Sequence, residues 1–188
     1  DDAEVDGGIV LSGGPGTNST LTFRTLSAGN VRFNGPVTLN SDVVVTTNGD
    51  GSSGTGLAQA GDITFTDAAP LDSQAGEHND VVLRAGAGAI RFSANVGESV
   101  SLQSLKVEDT TGAGRVIFGA SDAAASGSQT GPVTLVRTEG DIDLGAGAAD
   151  DDEVDGWIVL NGGPGTNSTL TFRTLSAGNV RFNGPVTL

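Results

Sequence analysis

Residues 1–39 recur as residues 150–188, and three of the 39 aligned pairs differ: Ala3/Asp152, Gly8/Trp157 and Ser12/Asn161. Near-identity over such a length exceeds what a shared fold alone produces. It implies recent duplication of a 149-residue unit, so that residues 1–149 form one complete unit and 150–188 begin the next. The fold must therefore accept a second copy of itself without remaking its core, which is a property of stacked repeat architectures.

Inside the unit runs a shorter rhythm of apolar triplets: Ile9–Leu11, Leu21–Phe23, Val31–Phe33, Val37–Leu39, Val43–Val45 and Ile63–Phe65. It continues with Val81–Leu83, Ile90–Phe92, Leu105–Val107, Val116–Phe118, Val133–Leu135 and Ile142–Leu144. The outer positions are apolar and the middle is often Thr, Arg, Lys or Asp, the period-2 signature of short strands with one buried face. Segments such as SAGN, TNGDGSSGTG and RAGAGA separate them as turns. No segment keeps a helical period for three turns.

Many short strands fit either a β-sandwich or a β-solenoid of stacked circuits, and the long duplication favours the solenoid. With circuits of about 20–22 residues, a unit would hold about seven of them and rise about 35 Å. Phe23, Phe33, Phe65, Phe92 and Phe118 end their triplets and are placed to form partial stacks. The composition agrees with a thin, elongated core: 30 glycines, a single Trp (Trp157), and no Tyr, Cys or Met.

The succession "VRFNGPVTLNSDVVVTT", "GDITF", "DVVLRAGAGAIRFSANVG" and "LQSLKVEDTTGAGRVIFG" resembles the repeats of very large bacterial surface proteins of the filamentous-haemagglutinin-like adhesin type. The resemblance is best from Gly29 to Gly119 and poor over the acidic stretch. It implies a right-handed parallel β-helix, secreted and displayed at the cell surface as a long fibre. Members of that family serve in adhesion, aggregation or matrix building, and such repeats usually act as stalk.

A net charge of −14 leaves no basic patch to neutralise phosphates, which argues against a nucleic-acid partner. Residues 150–188 contribute −3, so the unit itself carries −14 − (−3) = −11. An array of such units would be an anionic rod that repels its neighbours and attracts cations. No stretch approaches the roughly 20 apolar residues of a membrane-spanning helix.

Several motifs are candidates for chemistry. GGPGTNSTL (13–21 and 162–170) is close to the nonapeptide of calcium-binding β-rolls, but its sixth position is Asn18 or Asn167 instead of Asp, and it occurs once per unit. It reads better as a tight turn. Just upstream, Asp151-x-Glu153-x-Asp155-Gly156 and its counterpart Asp2-x-Glu4-x-Asp6-Gly7 carry alternating oxygen ligands and a glycine, like the first half of a calcium loop. The bidentate Glu of the twelfth position is missing, and Glu139, Asp141 or Asp143 from a neighbouring circuit could substitute. The competing reading is a solvated acidic loop that blocks edge contact. Asn18 and Asn167 also open N-x-[ST] sequons, candidate glycosylation sites in a eukaryotic secreted protein and turn chemistry otherwise.

Catalysis has weak support. The one histidine, His78, falls in an exposed-looking loop, and Lys106 with Glu108 and Asp109 does not compose the acid–base cluster of a polysaccharide-processing β-helix enzyme. Arg32, Arg91 and Arg181 occupy the middle of V/I-R-F strands and should point outward toward acids on adjacent circuits. The expected role is structural, with neighbouring copies of the same repeat as partners. A glycan- or partner-binding module using the loops Thr46–Ala60 and Ser121–Gly131 is the alternative.

Overall fold

The computed structural model describes residues 8–13, 19–25, 29–47, 60–110, 114–119, 133–146, 157–161 and 169–188. Among these residues every regular element is a β-strand, and every pairing is parallel. The chain visits three sheets, A, B and C, in strict rotation. The first circuit is β1 (Ile9–Leu11), β2 (Thr20–Arg24) and β3 (Val31–Phe33); the second is β4 (Val37–Leu39), β5 (Asp42–Thr46) and β6 (Ile63–Phe65). The third is β7 (Leu71–Ser73), β8 (Asp80–Gly86) and β9 (Ala89–Phe92). In the fourth, isolated bridges take the place of a sheet A strand, Val96 between Leu71 and Val136 and Leu102 beside Thr138, followed by β10 (Ser104–Thr110) and β11 (Arg115–Phe118). The fifth is β12 (Leu135–Thr138), β13 (Ile142–Ala146) and β14 (Trp157–Leu160); the sixth is β15 (Thr171–Thr174), β16 (Val180–Phe182) and β17 (Val186–Thr187).

Register converts sequence alternation into columns of like residues. Sheet B aligns Val43, Val81, Leu105 and Ile142 on its inner face, and sheet C aligns Ile63, Ile90, Val116 and Ile158, all of them buried. Phe33, Phe65, Phe92 and Phe118 stack with ring centroids 4.7, 5.1 and 4.9 Å apart and planes within 15° of parallel. Phe23 meets the column edge-on at 6.3 Å because it stands on sheet B, across the core from Phe33. The middle residues Arg32 and Arg181 are exposed, as their position in the alternation requires.

The circuits are longer and fewer than expected. In register, one turn spans 22 residues at its shortest (Thr20 to Asp42) and 42 at its longest (Arg115 to Trp157), against the 20–22 read from sequence. Three strands share each circuit, and turns of very different length join them. The expected strand at Val133–Leu135 is also displaced: β12 begins at Leu135, and Val136 takes the buried position between Val96 and Phe172. The Asn95 side chain fixes this frame by accepting from the amides of Thr134 and Leu135.

Two glycines hold turns against the next circuit. Gly97 (φ 68°) and Gly119 (φ 98°) are left-handed, and a Cβ at either would overlap a backbone carbonyl, that of Arg137 or Asn161 respectively. No other residue type meets both demands without moving the neighbouring backbone.

Candidate functional site

The polar groups most consistently organised by the fold lie where the chain enters a strand. A residue just before the first paired position has an amide that the sheet ladder does not satisfy, and an orphaned amide is costly. Here an Asp or Asn on one circuit accepts from that amide on the next. Asn30 Oδ1 accepts from Asp62 N at 2.8 Å, Asp62 Oδ1 from Ala89 N at 2.8 Å, and Asp42 Oδ1 from Asp80 N at 2.9 Å. Asn95 Oδ1 serves Thr134 N and Leu135 N at 2.8 and 3.1 Å, and Asp141 Oδ1 serves Asn179 N at 2.8 Å. Asp80 departs from the pattern, because its Oδ1 takes the hydroxyl of Ser104 instead.

The signal was present in the sequence as Asp or Asn directly before Val or Ile: N-V-R-F at 30, D-V-V-V at 42, D-I-T-F at 62, D-V-V-L at 80, D-I-D-L at 141 and N-V-R-F at 179. Sequence reasoning treated these residues as turn formers or charge and missed the task that Asn30, Asp42, Asp62 and Asp141 share.

A second polar rib crosses four circuits at the corner between sheets A and B. Ser101 Oγ donates to Glu139 Oε1 at 2.6 Å, and Ser176 Oγ reaches Glu139 Oε2 at 3.3 Å. His78 Nδ1 lies 3.1 Å from Ser101 O, 3.4 Å from Ser101 Oγ and 3.9 Å from Glu139 Oε1. The Ser101 hydroxyl, then nearby His78, Ser176 and Arg137, hold the Glu139 carboxyl below its ordinary pKa against a smaller opposing effect of burial. Asp141 is lowered likewise, first by the amide of Asn179. In a nucleophilic relay the imidazole takes the serine proton and the carboxylate orients the imidazole. Here the serine sits between the other two and donates its hydrogen bond to the carboxylate, so the rib ties successive circuits together.

Beside the rib, an open groove of about 360 Å³ is lined by Asp80, Gln103, Ser104, Lys106, Asp141 and Ser176 among others. Its walls mix polar and apolar surface, with both charge signs represented.

No family model, curated protein or solved structure matches this chain.

The acidic candidates Asp2, Glu4, Asp6, Asp151, Glu153 and Asp155 lie outside the described residues, as do Asn18, Asn167 and nearly all of the two long loops. The three carboxylates considered as their helpers have other partners: Glu139 in the rib, Asp141 on Asn179, and Asp143 with Arg181 at 3.3 Å. Among the described residues no group of three His, Asp or Glu is placed to share a metal ion. Glu108 is paired with Arg84 at 2.7 Å, and Lys106 lies on the groove wall.

Proposed function

We propose that the chain is a structural segment of an extracellular fibre or giant surface adhesin, a right-handed parallel β-helix of the filamentous-haemagglutinin-like type. It extends by laying one circuit on the next, with a continuous apolar core and backbone pairing between circuits. One observation carries this reading. The duplicated segment keeps its own spacing, Ile9 with Val37 in the first copy and Ile158 with Val186 in the second, and it adds its strands to the three sheets already present. A further unit thus lengthens one core instead of founding another. The high negative charge keeps such rods apart and soluble, and divalent cations would stiffen or crosslink them through the acidic segments. Negative-stain imaging of the native material, or of several units in tandem, tests the proposal: straight rods are expected, and globular particles would refute it. A chelator melt tests the calcium component, where an unchanged melting temperature removes the structural ion.

The groove beside Lys106 favours a second reading, a glycan-binding module. Its hydroxyl, amide, carboxylate and ammonium groups, set among small apolar residues, suit sugar hydroxyls and the apolar face of a sugar ring. Binding of an isolated unit to a glycan array, abolished by Lys106→Ala, would support it; an array with no signal would leave the stalk reading alone.

A further inference from the structure

The two copies of the duplicated segment do not occupy the same sheets. In the first copy, Ile9–Leu11, Thr20–Arg24, Val31–Phe33 and Val37–Leu39 stand on sheets A, B, C and A. In the second, Trp157–Leu160, Thr171–Thr174, Val180–Phe182 and Val186–Thr187 stand on C, A, B and C. The local fold is unchanged, because both copies pair across a spacing of 28 residues (Ile9 with Val37, Ile158 with Val186) and both pack Ile9, Leu21, Phe23 and Phe33, or their counterparts Ile158, Leu170, Phe172 and Phe182, in or against the core. What differs is the phase. From sheet A of the first circuit to sheet C of the fifth, the chain has made four full circuits and two-thirds of another.

We infer that the 149-residue unit is a screw element: each copy advances by 4⅔ circuits and turns its outward residues onto a different side of the rod. This rests on the stacked-array reading above. The rise per unit is about 22 Å at about 4.8 Å per circuit. A feature on sheet B of one unit, such as the Arg84–Glu108 pair or the groove at Lys106, recurs on sheet A of the next and on sheet C of the third. It returns to its own side after three units, which is 447 residues and 14 circuits, or about 67 Å. An array built this way offers the same chemistry on all three sides. A partner that runs along one side meets a given feature once in three units.

The chain is its own test object, because it has no cysteine and spin labels can be placed on introduced ones. Thr22, Arg32, Arg181 and Thr187 are all exposed, and Arg32 and Arg181 are the same residue of the two copies. Three double variants are needed, each measured by electron–electron double resonance: Thr22→Cys with Arg181→Cys, Arg32→Cys with Thr187→Cys, and Arg32→Cys with Arg181→Cys. The first two pairs each lie on one sheet, B and C respectively, five circuit steps apart. Both should give a narrow distance of about 24 Å, broadened by the label arms. The third pair spans two sheets and should be clearly longer, since facing sheets lie about 10 Å apart before outward side chains are counted. A short Arg32–Arg181 distance with a long Thr22–Arg181 distance would mean that the copies are in phase, which overturns the screw and leaves the fibre reading intact. Broad distributions for all three pairs would mean that the circuits do not stack, which overturns both.

Discussion

At Asn95 one carboxamide oxygen accepts from two successive backbone amides, Thr134 and Leu135, on the following circuit. Replacing it with alanine leaves the exposed Thr134 amide and the half-buried Leu135 amide without that partner; a fully buried unmet donor costs about 1–3 kcal/mol, so the lower end of that range is expected. Asn95→Ala should therefore lower the urea midpoint with little change in the slope, while Asn95→Asp keeps the acceptor but loses the bond to Glu98 Oε2 and sets two carboxylates together, so it should recover only part of the loss. Glu139 predicts a pH effect. Its folded pKa is lowered by the Ser101 hydroxyl first, so the stability it contributes is fully present above its unfolded pKa, near about 4.3, and is lost as pH falls through the lower folded value. Thermal melts of Glu139→Gln across the acid range should show a shallower loss below about pH 4.5 than the parent chain. An unchanged acid limb would mean that the rib contributes nothing to acid sensitivity.

The phenylalanine column is the clearest case of an element made by repetition: four rings from four circuits share one register on sheet C. Phe92 is fully buried between Phe65 and Phe118, so Phe92→Ala should cost about 3–5 kcal/mol, measured by denaturant unfolding, and Phe92→Leu less. The inward alternation of these strands was legible because one buried face imposes a period of two. Leu71–Ser73 was not, because Ser73 stands where an apolar residue was expected; its hydroxyl accepts from the Asn79 amide and side chain instead. Val96 escaped for a similar reason, being a single inward residue with a left-handed glycine directly after it. Circuit length was illegible on principle: strands carry a pattern, whereas lengthening a turn costs little free energy and leaves no periodic mark. The entry caps were visible as letters but not as a task, since an Asp before Val looks the same whether it is solvated or tied to the circuit above.

At the scale of the whole molecule, a charge of −14 on 188 residues makes self-repulsion a global term. Raising NaCl from about 10 to about 200 mM shortens the screening length from about 30 Å to below 10 Å. The melting temperature should therefore rise with salt, and the few exposed ion pairs such as Arg181–Asp143 are too weak to reverse the sign. A melting temperature that fell with salt would show that local pairs outweigh the global charge. The entry caps have a consequence for how such a molecule comes into being. Each reaches in one direction: the acceptor belongs to the earlier circuit and the amide to the later one. A finished circuit therefore holds out a row of side-chain acceptors for residues still to arrive, and they in turn supply carbonyls to its waiting strand amides, as Asp62 does for Val31 and Asn95 for Leu71. On the fibre proposal, such a chain can be assembled in the order in which it emerges, each turn serving as the template for its successor, so that a long array need never exist as a long unfolded chain.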